Sequence, residues 1–376
     1  MLGFVGWTGV DLFFVLSGFL ITGILWEAKE SPHYFKNFYA RRTLRLFPLY
    51  YATLAIIFIG FPLMLPSLMS GSDALVAMSP AFILAKEASV HWLWFITYSV
   101  DFLVGWKGYL FASHFWSLAV EEHFYLVWPF LILTLSRRSI IRVTFAIIFG
   151  SLALRLCVSD LINPVTLYVL TPLRMDAIAM GSAVALIMRG ENGLQLLRRI
   201  ARVWFPILAV FWGLLMLFLN GWPQYGDIPQ TVGYSLTASV YACLLILTLT
   251  ENFWKRLFSI KFLRFLGKYS YGLYVIHAIV FECLGNMFAL GNPSHYTVLK
   301  DIFPGVPALF YSLPHLVLVI DGAIFAVLAL GLTLLAALAS WRYIESPFLG
   351  LKKFFPYGRE SEPARLPVGG RLEGEI

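Results

Sequence analysis

Residues 316–341 read LVLVIDGAIFAVLALGLTLLAALASW, an apolar run with a single charged side chain, Asp321. A helix needs about 20 such residues to cross the hydrocarbon core of a bilayer, so this run predicts a membrane-spanning helix. Residues 10–26, VDLFFVLSGFLITGILW, form a second run of this kind. The whole chain is 59% hydrophobic and 13% charged, whereas soluble domains are about 25% charged. The sequence therefore predicts an all-α integral membrane protein, a polytopic helical bundle.

The net charge is +7, and the positions of the basic residues indicate how the chain is oriented in a membrane. Most of the lysines and arginines fall in five clusters between apolar runs or after the last run: residues 27–47, 136–142, 189–202, 251–268, and the stretch from Arg342 onward. Cytoplasmic loops of membrane proteins carry this excess of positive charge. The basic balance therefore indicates orientation in the membrane and gives no reason to expect a nucleic-acid partner.

We predict about nine spans, near residues 9–26, 48–69, 122–135, 140–158, 173–188, 204–220, 231–250, 268–290 and 315–341. If all five basic clusters are cytoplasmic, the C-terminus is cytoplasmic and the N-terminus lies outside. The segment 70–121 is interpreted as extracytoplasmic or re-entrant, with two short crossings as the alternative. We expect residues 1–350 to form one membrane domain and residues 351–376 a disordered cytoplasmic tail.

The stretch 115–129, FWSLAVEEHFYLVWP, contains two adjacent carboxylates in an otherwise apolar run. Ser117, Glu121 and Tyr125 are four residues apart and share one helix face, whereas Glu122 points about 100° away. One interpretation is that Glu121 faces a protein-lined cavity and orients a reacting group, with Ser117 and Tyr125 supplying hydrogen bonds. The alternative is that the carboxylates mark the interfacial end of the helix.

Six motifs resemble, in order, those of the acyltransferase-3 family of membrane O-acyltransferases: GWTGVDLFFVLSGFLIT (6–22), FYARRTLRLFPLYY (38–51), HFWSLAVEEHFYLVWP (114–129), RMDAIAMGSAVA (174–185), LGKYSYGLYVIH (266–277) and YIESPF (343–348). The resemblance covers roughly residues 3–350. It implies ten helices with both termini cytoplasmic and a catalytic His in the first helix. We expect that helix to be missing upstream of Met1. A further departure is His123, where the family commonly has Gln.

The resemblance also implies roles for charged residues. It makes Asp11 a partner of the catalytic His, although an Asp at this position also caps a helix. Arg41, Arg42 and Arg45 are candidates for binding the phosphates of acyl-CoA, or they only mark topology.

Three further residues are candidates for the acceptor site. Arg174 and Asp176 open a span at its outer end, where they line an acceptor cavity or cap the helix. His277 lies about ten residues into its span, as a substrate contact or as a hydrogen-bonded structural group.

The leading hypothesis is an inner-membrane acyltransferase that transfers an acyl group, most simply acetyl, from cytoplasmic acyl-CoA to a sugar hydroxyl of a cell-envelope polysaccharide or glycoside. The lipid bilayer, the glycan acceptor and the acyl-CoA donor are its expected partners. No tightly bound cofactor is expected, and the three cysteines have no metal-ligand spacing. The alternatives are a flippase-like transporter for a lipid-linked sugar and an inactive acyltransferase that lacks its first helix.

Overall fold

The computed structural model describes residues 6–60, 80–219, 221–288 and 314–357. Nine helices of these ranges have 17 or more residues. They are α1 (Gly9–Glu27), α2 (Tyr34–Ala55), α3 (Trp116–Thr134), α4 (Arg137–Val158), α5 (Thr171–Met188), α6 (Gly193–Phe218), α7 (Tyr234–Thr250), α8 (Lys261–Phe288) and α9 (Pro314–Ser340). The described residues form no β-strand. The chain is an all-α membrane protein, as the composition predicts.

Each of the nine predicted spans overlaps one of these helices. Counted with their flanking turns, seven helical segments of the described chain are long and apolar enough to cross a membrane; α3 and α8 fall outside this group. Two helices begin well before the predicted spans. α2 starts at Tyr34 and α6 at Gly193, so the basic residues at their starts lie on helix rather than in loops. Hydropathy falls at these charges, but the backbone hydrogen bonds continue through them.

The segment predicted as extracytoplasmic or re-entrant contains three short helices, Pro80–Val90, Trp92–Ile96 and Val100–Lys107. At 11, 5 and 8 residues, none is long enough to cross a bilayer alone. Residues 61–79 of this segment lie outside the described residues. Much of the described segment packs against the bundle, because Val100, Leu103 and Val104 are fully buried.

α1 and α5 form the centre of the bundle and pack against each other along most of their length, with α4 and α7 beside them. Glycines allow this close approach: a Cβ on Gly18 would lie 1.9 Å from the carbonyl oxygen of Ile178, and one on Gly181 would lie 1.9 Å from that of Val15. Small residues in α1 and α5 thus permit close helix packing. α8 pairs with α9. α2 contacts α8 and the turn Trp341–Glu345 that follows α9.

Contacts between the helix ends gather the five basic clusters at one end of the bundle. Lys29 donates a hydrogen bond to the carbonyl of Leu135 at 2.9 Å, and Arg189 pairs with Glu27. Arg198 and Arg202 both pair with Glu251, at 2.7 and 2.6 Å, and their hydrogen bonds lower the pKa of Glu251 to about 2. The crossing pattern deduced from the charges requires this common end.

The predicted tail begins as an ordered turn. Residues 351–354 form a short helix, and the chain after it contacts α2: Asn37 donates to the carbonyl of Pro356 at 2.6 Å. Packed structure therefore extends to Tyr357. Residues 358–376 lie outside the described residues, as does the side chain of Asp321.

Candidate active site

A chain of three hydrogen-bonding side chains links α1 to α3. Tyr125 donates its hydroxyl proton to Oε1 of Glu121 at 2.5 Å, and Ser17 Oγ lies 2.5 Å from the Tyr125 oxygen. A tyrosine has one proton, so Ser17 is the donor to Tyr125. Glu121 is only 2% exposed. The shared helix face of Glu121 and Tyr125 is thus confirmed, and Ser17 of α1 joins them.

Arg42 and Glu122 flank this chain and retain unused hydrogen-bonding atoms. The guanidinium carbon of Arg42 lies 3.9 Å from the ring centroid of Tyr125, within cation–π range. Arg42 Nε and Glu122 Oε1 are buried, and no described residue bonds to either atom. Buried polar atoms are almost always paired in native proteins. These two atoms therefore mark a place where a bound group can supply the missing partners.

The three arginines of the basic motif have different surroundings. Arg41 Nη1 donates to the carbonyls of Lys352 and Phe355, both at 3.0 Å, and its guanidinium lies over the ring of Tyr357. Arg41 is therefore engaged by the segment 352–357, and Arg45 is exposed. Of the three, Arg42 is the one beside the Glu121 chain.

A second group of charges is buried between α1, α4 and α5. Arg174 pairs with Asp11 and Arg155 pairs with Asp176, each at 2.6 Å. All four side chains are at most 1% exposed. Ser235 also donates to Asp176, at 2.5 Å. The predicted residues Asp11 and Arg174 are thus brought together, whereas Asp176 pairs with Arg155.

Aromatic rings enclose Arg174. Its guanidinium carbon lies 4.0 Å from the ring centroid of Tyr234, 5.1 Å from that of Tyr168 and 5.9 Å from that of Trp116. Within this cage, Asp11 Oδ2 and the Nε and Nη1 atoms of Arg174 are buried without a partner among the described residues. The sequence motifs did not indicate these rings; the signal that the sequence did contain is Tyr168, a tyrosine six residues before Arg174.

Ser117 belongs to a different group from Glu121. Its hydroxyl bonds to that of Tyr274, which donates to the carbonyl of His114 at 2.7 Å. The ring of His277 lies 5.4 Å from that of His114, and its Nδ1 is 2.6 Å from the carbonyl of Tyr274. Burial lowers the pKa of His114 to about 3, helped by His277. The structure therefore groups Ser117 with His277, through Tyr274.

His123 lies apart from both carboxylates of its motif. Its Nδ1 is 2.7 Å from the hydroxyl of Thr171, which in turn donates to Asp101 at 2.8 Å. Asp101 is fully buried, and burial raises the pKa of its carboxyl while the nearby His123 opposes that change. His123 therefore ties α3 to the helix Val100–Lys107 and to the start of α5, a contact that an amide side chain at this position could also make.

Comparison with known proteins finds relatives of this chain. The chain is 26% identical over 310 residues to the peptidoglycan O-acetyltransferase OatA of Listeria monocytogenes, covering 79% of this chain and 48% of that protein. It is also 26% identical over 314 residues to the O-acetyltransferase OatA of Staphylococcus aureus, covering 79% of this chain and 49% of that protein. The chain thus spans about half the length of the curated relatives it matches.

No solved structure matches this chain. The model of the acyltransferase domain family matches residues 1–342, which include Asp11, the Glu121 hydrogen-bond chain and the Arg174 cage. The protein belongs to the acyltransferase-3 family of membrane proteins.

Proposed function

We propose that this protein transfers an acyl group, most simply acetyl, from acyl-CoA to a sugar hydroxyl of a cell-envelope glycan. Family membership supports the acyl transfer. The relatives named as peptidoglycan O-acetyltransferases make peptidoglycan the first acceptor to test. The proposed setting is the plasma (inner) membrane, with the C-terminus and the end of the bundle that carries the basic clusters in the cytoplasm.

The observation that carries this proposal is the buried Ser17–Tyr125–Glu121 chain beside Arg42. In the reaction, the acceptor oxygen attacks the thioester carbonyl, a C–O bond forms, and the C–S bond breaks. The hydroxyl proton must leave the oxygen, and the CoA thiolate takes up a proton to leave as the thiol. Glu121 is placed to accept or orient that proton, and Tyr125 and Ser17 fix the position of its carboxylate.

Arg42 is the proposed contact for the phosphates of the donor. A guanidinium donates paired hydrogen bonds that fit phosphate oxygens, and Arg42 has an unpartnered Nε in the described structure. Arg45, one turn further along α2 and exposed, extends the same positive surface. The neighbouring Arg41 holds the segment 352–357 and has a structural role in this proposal.

The test is acyl transfer by the purified full chain in proteoliposomes, with radiolabelled acetyl-CoA and soluble peptidoglycan fragments. We expect Glu121→Gln to lower the transfer rate at least about 100-fold, because proton-transfer groups contribute roughly 10²–10⁴. Glu27→Gln is the matched control, since Glu27 is exposed and pairs with Arg189. We expect Arg42→Gln to raise the KM for acetyl-CoA more than it lowers kcat.

Two results would contradict the proposal. One is transfer at the normal rate by Glu121→Gln, which would remove the hydrogen-bond chain from the reaction. The other is unlabelled glycan together with movement of a lipid-linked sugar across the liposome membrane, which would identify a transporter.

A further inference from the structure

Two loops meet at the end of the bundle opposite the basic clusters. One loop follows the helix Val100–Lys107 and carries Tyr109; the other precedes α7 and carries Gln224 and Tyr225. Tyr225 donates its hydroxyl proton to the oxygen of Tyr109, and Gln224 Nε2 donates to Tyr109 at 2.9 Å and to Tyr225 at 3.1 Å. We call these three residues the tyrosine cluster.

The tyrosine cluster is accessible and has hydrogen-bonding capacity to spare. Tyr109 is 41% exposed and Tyr225 is 37% exposed. The Tyr109 oxygen accepts two hydrogen bonds, so its own proton remains free to donate. Gln224 uses both amide hydrogens, so its carbonyl oxygen remains free to accept; no described residue takes up either position. A ligand that both donates and accepts hydrogen bonds, such as a polyhydroxylated molecule, complements the cluster.

A continuous column of aromatic rings runs from the cluster to the buried charges. The ring centroids of Tyr225 and Tyr168 are 6.1 Å apart, and those of Tyr168 and Tyr234 are 5.8 Å apart. Tyr234 also donates its hydroxyl proton to the backbone carbonyl of Gln224 at 3.0 Å. The column ends at Arg174 and Asp11, which have unpartnered buried polar atoms in the described structure.

We propose that the tyrosine cluster binds a sugar ring of the acceptor glycan, an inference that rests on the proposed function. A pyranose ring presents a C–H face that packs on an aromatic ring and a rim of hydroxyls that need donors and acceptors. Aromatic surface with a few placed polar groups is the composition typical of small-molecule sites. The cluster has no cationic side chain of its own, and Arg174 beneath it is paired with Asp11, so a neutral sugar fits better than a phosphate or another anion.

The direct test is saturation-transfer NMR on the full chain in nanodiscs, with N-acetylglucosamine as the probe. Its open-chain alditol, N-acetylglucosaminitol, is the ligand control, because it retains hydroxyls but has no ring face. We expect the alditol to bind at least about tenfold more weakly. We expect the same loss of sugar affinity in Tyr225→Ala, Tyr109→Ala and Gln224→Ala. Tyr343→Ala is the matched protein control. Tyr343 is an exposed tyrosine in the turn that follows the C-terminal end of α9, at the end of the bundle that carries the basic clusters.

Equal binding of sugar and alditol, normal sugar affinity in the three cluster variants, or no sugar binding by the unchanged chain would each overturn the proposal. Tyr225→Phe keeps the ring and loses the hydroxyl, so it tests the same contact if the alanine variant does not fold. Acetyl transfer measured on the same samples separates the two proposals. Sugar binding that depends on the cluster, without transfer in any sample, would contradict the acyltransferase activity and leave the sugar site supported.

Discussion

At the scale of single residues, the main feature is the set of buried charges in α1, α4 and α5. Asp11, Arg174, Arg155 and Asp176 form two close ion pairs away from solvent. Two ions must be desolvated to form each buried pair, so such pairs are weak sources of stability. The two pairs differ in a way that matters for function: the Asp11–Arg174 pair retains unpartnered atoms, whereas the oxygen of Asp176 that faces Arg155 also accepts from Ser235.

We therefore expect Arg155 and Asp176 to be structural. Arg155→Met alone or Asp176→Asn alone should destabilise the protein by about 3–5 kcal/mol, because each leaves an uncompensated buried group. The double variant Arg155→Met/Asp176→Leu should recover most of that loss. Thermal unfolding in detergent measures stability, and acetyl transfer on the same samples measures function. A stable double variant without transfer would instead show that the Arg155–Asp176 pair takes part in transfer.

Residues were predicted well where spacing on one helix decides the geometry. The shared face of Glu121 and Tyr125 follows from a separation of four residues, and the structure joins them by a hydrogen bond. The partner of Tyr125 is Ser17 in another helix, and helix spacing contains no information about it. Ser117 has the same spacing from Glu121 but bonds to Tyr274 of α8, because the neighbouring helix determines which hydroxyl is within reach.

At the scale of helices, the packing of α1 against α5 depends on two glycines. In helices, glycine costs about 1 kcal/mol relative to alanine, so its presence needs a reason. Here the reason is contact with backbone: a Cβ at either Gly18 or Gly181 would lie far inside the van der Waals distance of a carbonyl oxygen on the other helix. Backbone atoms cannot move aside as a flexible side chain can.

Gly18→Ala should therefore separate α1 from α5 and reduce the yield of folded protein. We expect a destabilisation of at least about 3 kcal/mol, at the upper end of overpacking effects. Gly150→Ala in α4 is the control, because a Cβ there meets nothing within 4 Å, and its higher helix propensity should leave stability equal or slightly increased. Size-exclusion profiles and melting temperatures of the two variants give the comparison. Equal stability would show that the helices are not in such close contact.

The helices themselves were largely predictable, since long apolar runs define them. Their starts were less so. α2 begins fourteen residues before its predicted span. This difference places Arg41 and Arg42 on a helix that faces the Glu121 hydrogen-bond chain and the segment 352–357. A hydropathy reading places span limits at charges, whereas a helix continues past the membrane interface wherever packing supports it.

At the scale of the whole molecule, the basic clusters at one end and the tyrosine cluster at the other give the bundle two distinct ends. The proposed reaction needs both, because that proposal has a cytoplasmic donor and a glycan acceptor on the other side of the membrane. The spans were predicted from the apolar runs and their orientation from the charge positions, and the contacts between helix ends bring the basic clusters to one end as that orientation requires. The column of tyrosine rings that leads from the tyrosine cluster to Arg174 depends on contacts between different helices and loops. The positions of charges in the sequence do not specify such contacts.

Reporter fusions test this orientation. A reporter fused after residue 30 should show cytoplasmic activity, and one inserted in residues 221–230 should show activity on the outer side, because basic clusters remain in the cytoplasm. Alkaline phosphatase and green fluorescent protein report the two sides in opposite senses, so each fusion checks the other. Activity of both fusions on the same side would refute the predicted topology.

The buried ion pairs also have a consequence for how the chain is made. Asp11 in α1 and Arg155 in α4 leave the ribosome before α5, which carries both of their partners. Arg155 lies in the last turn of α4, and a buried charge without its counter-ion is strongly destabilising, so we expect α4 to pack with α5 early rather than to remain alone in the lipid. Its neighbour α5 follows after a short connection, and the two can enter the lipid together with Arg155 already neutralised. α1 must wait longer: its closest packing and its counter-ion are both supplied by a helix synthesised some 160 residues later. The helix α5 thus supplies the counter-ions of two helices that are made before it.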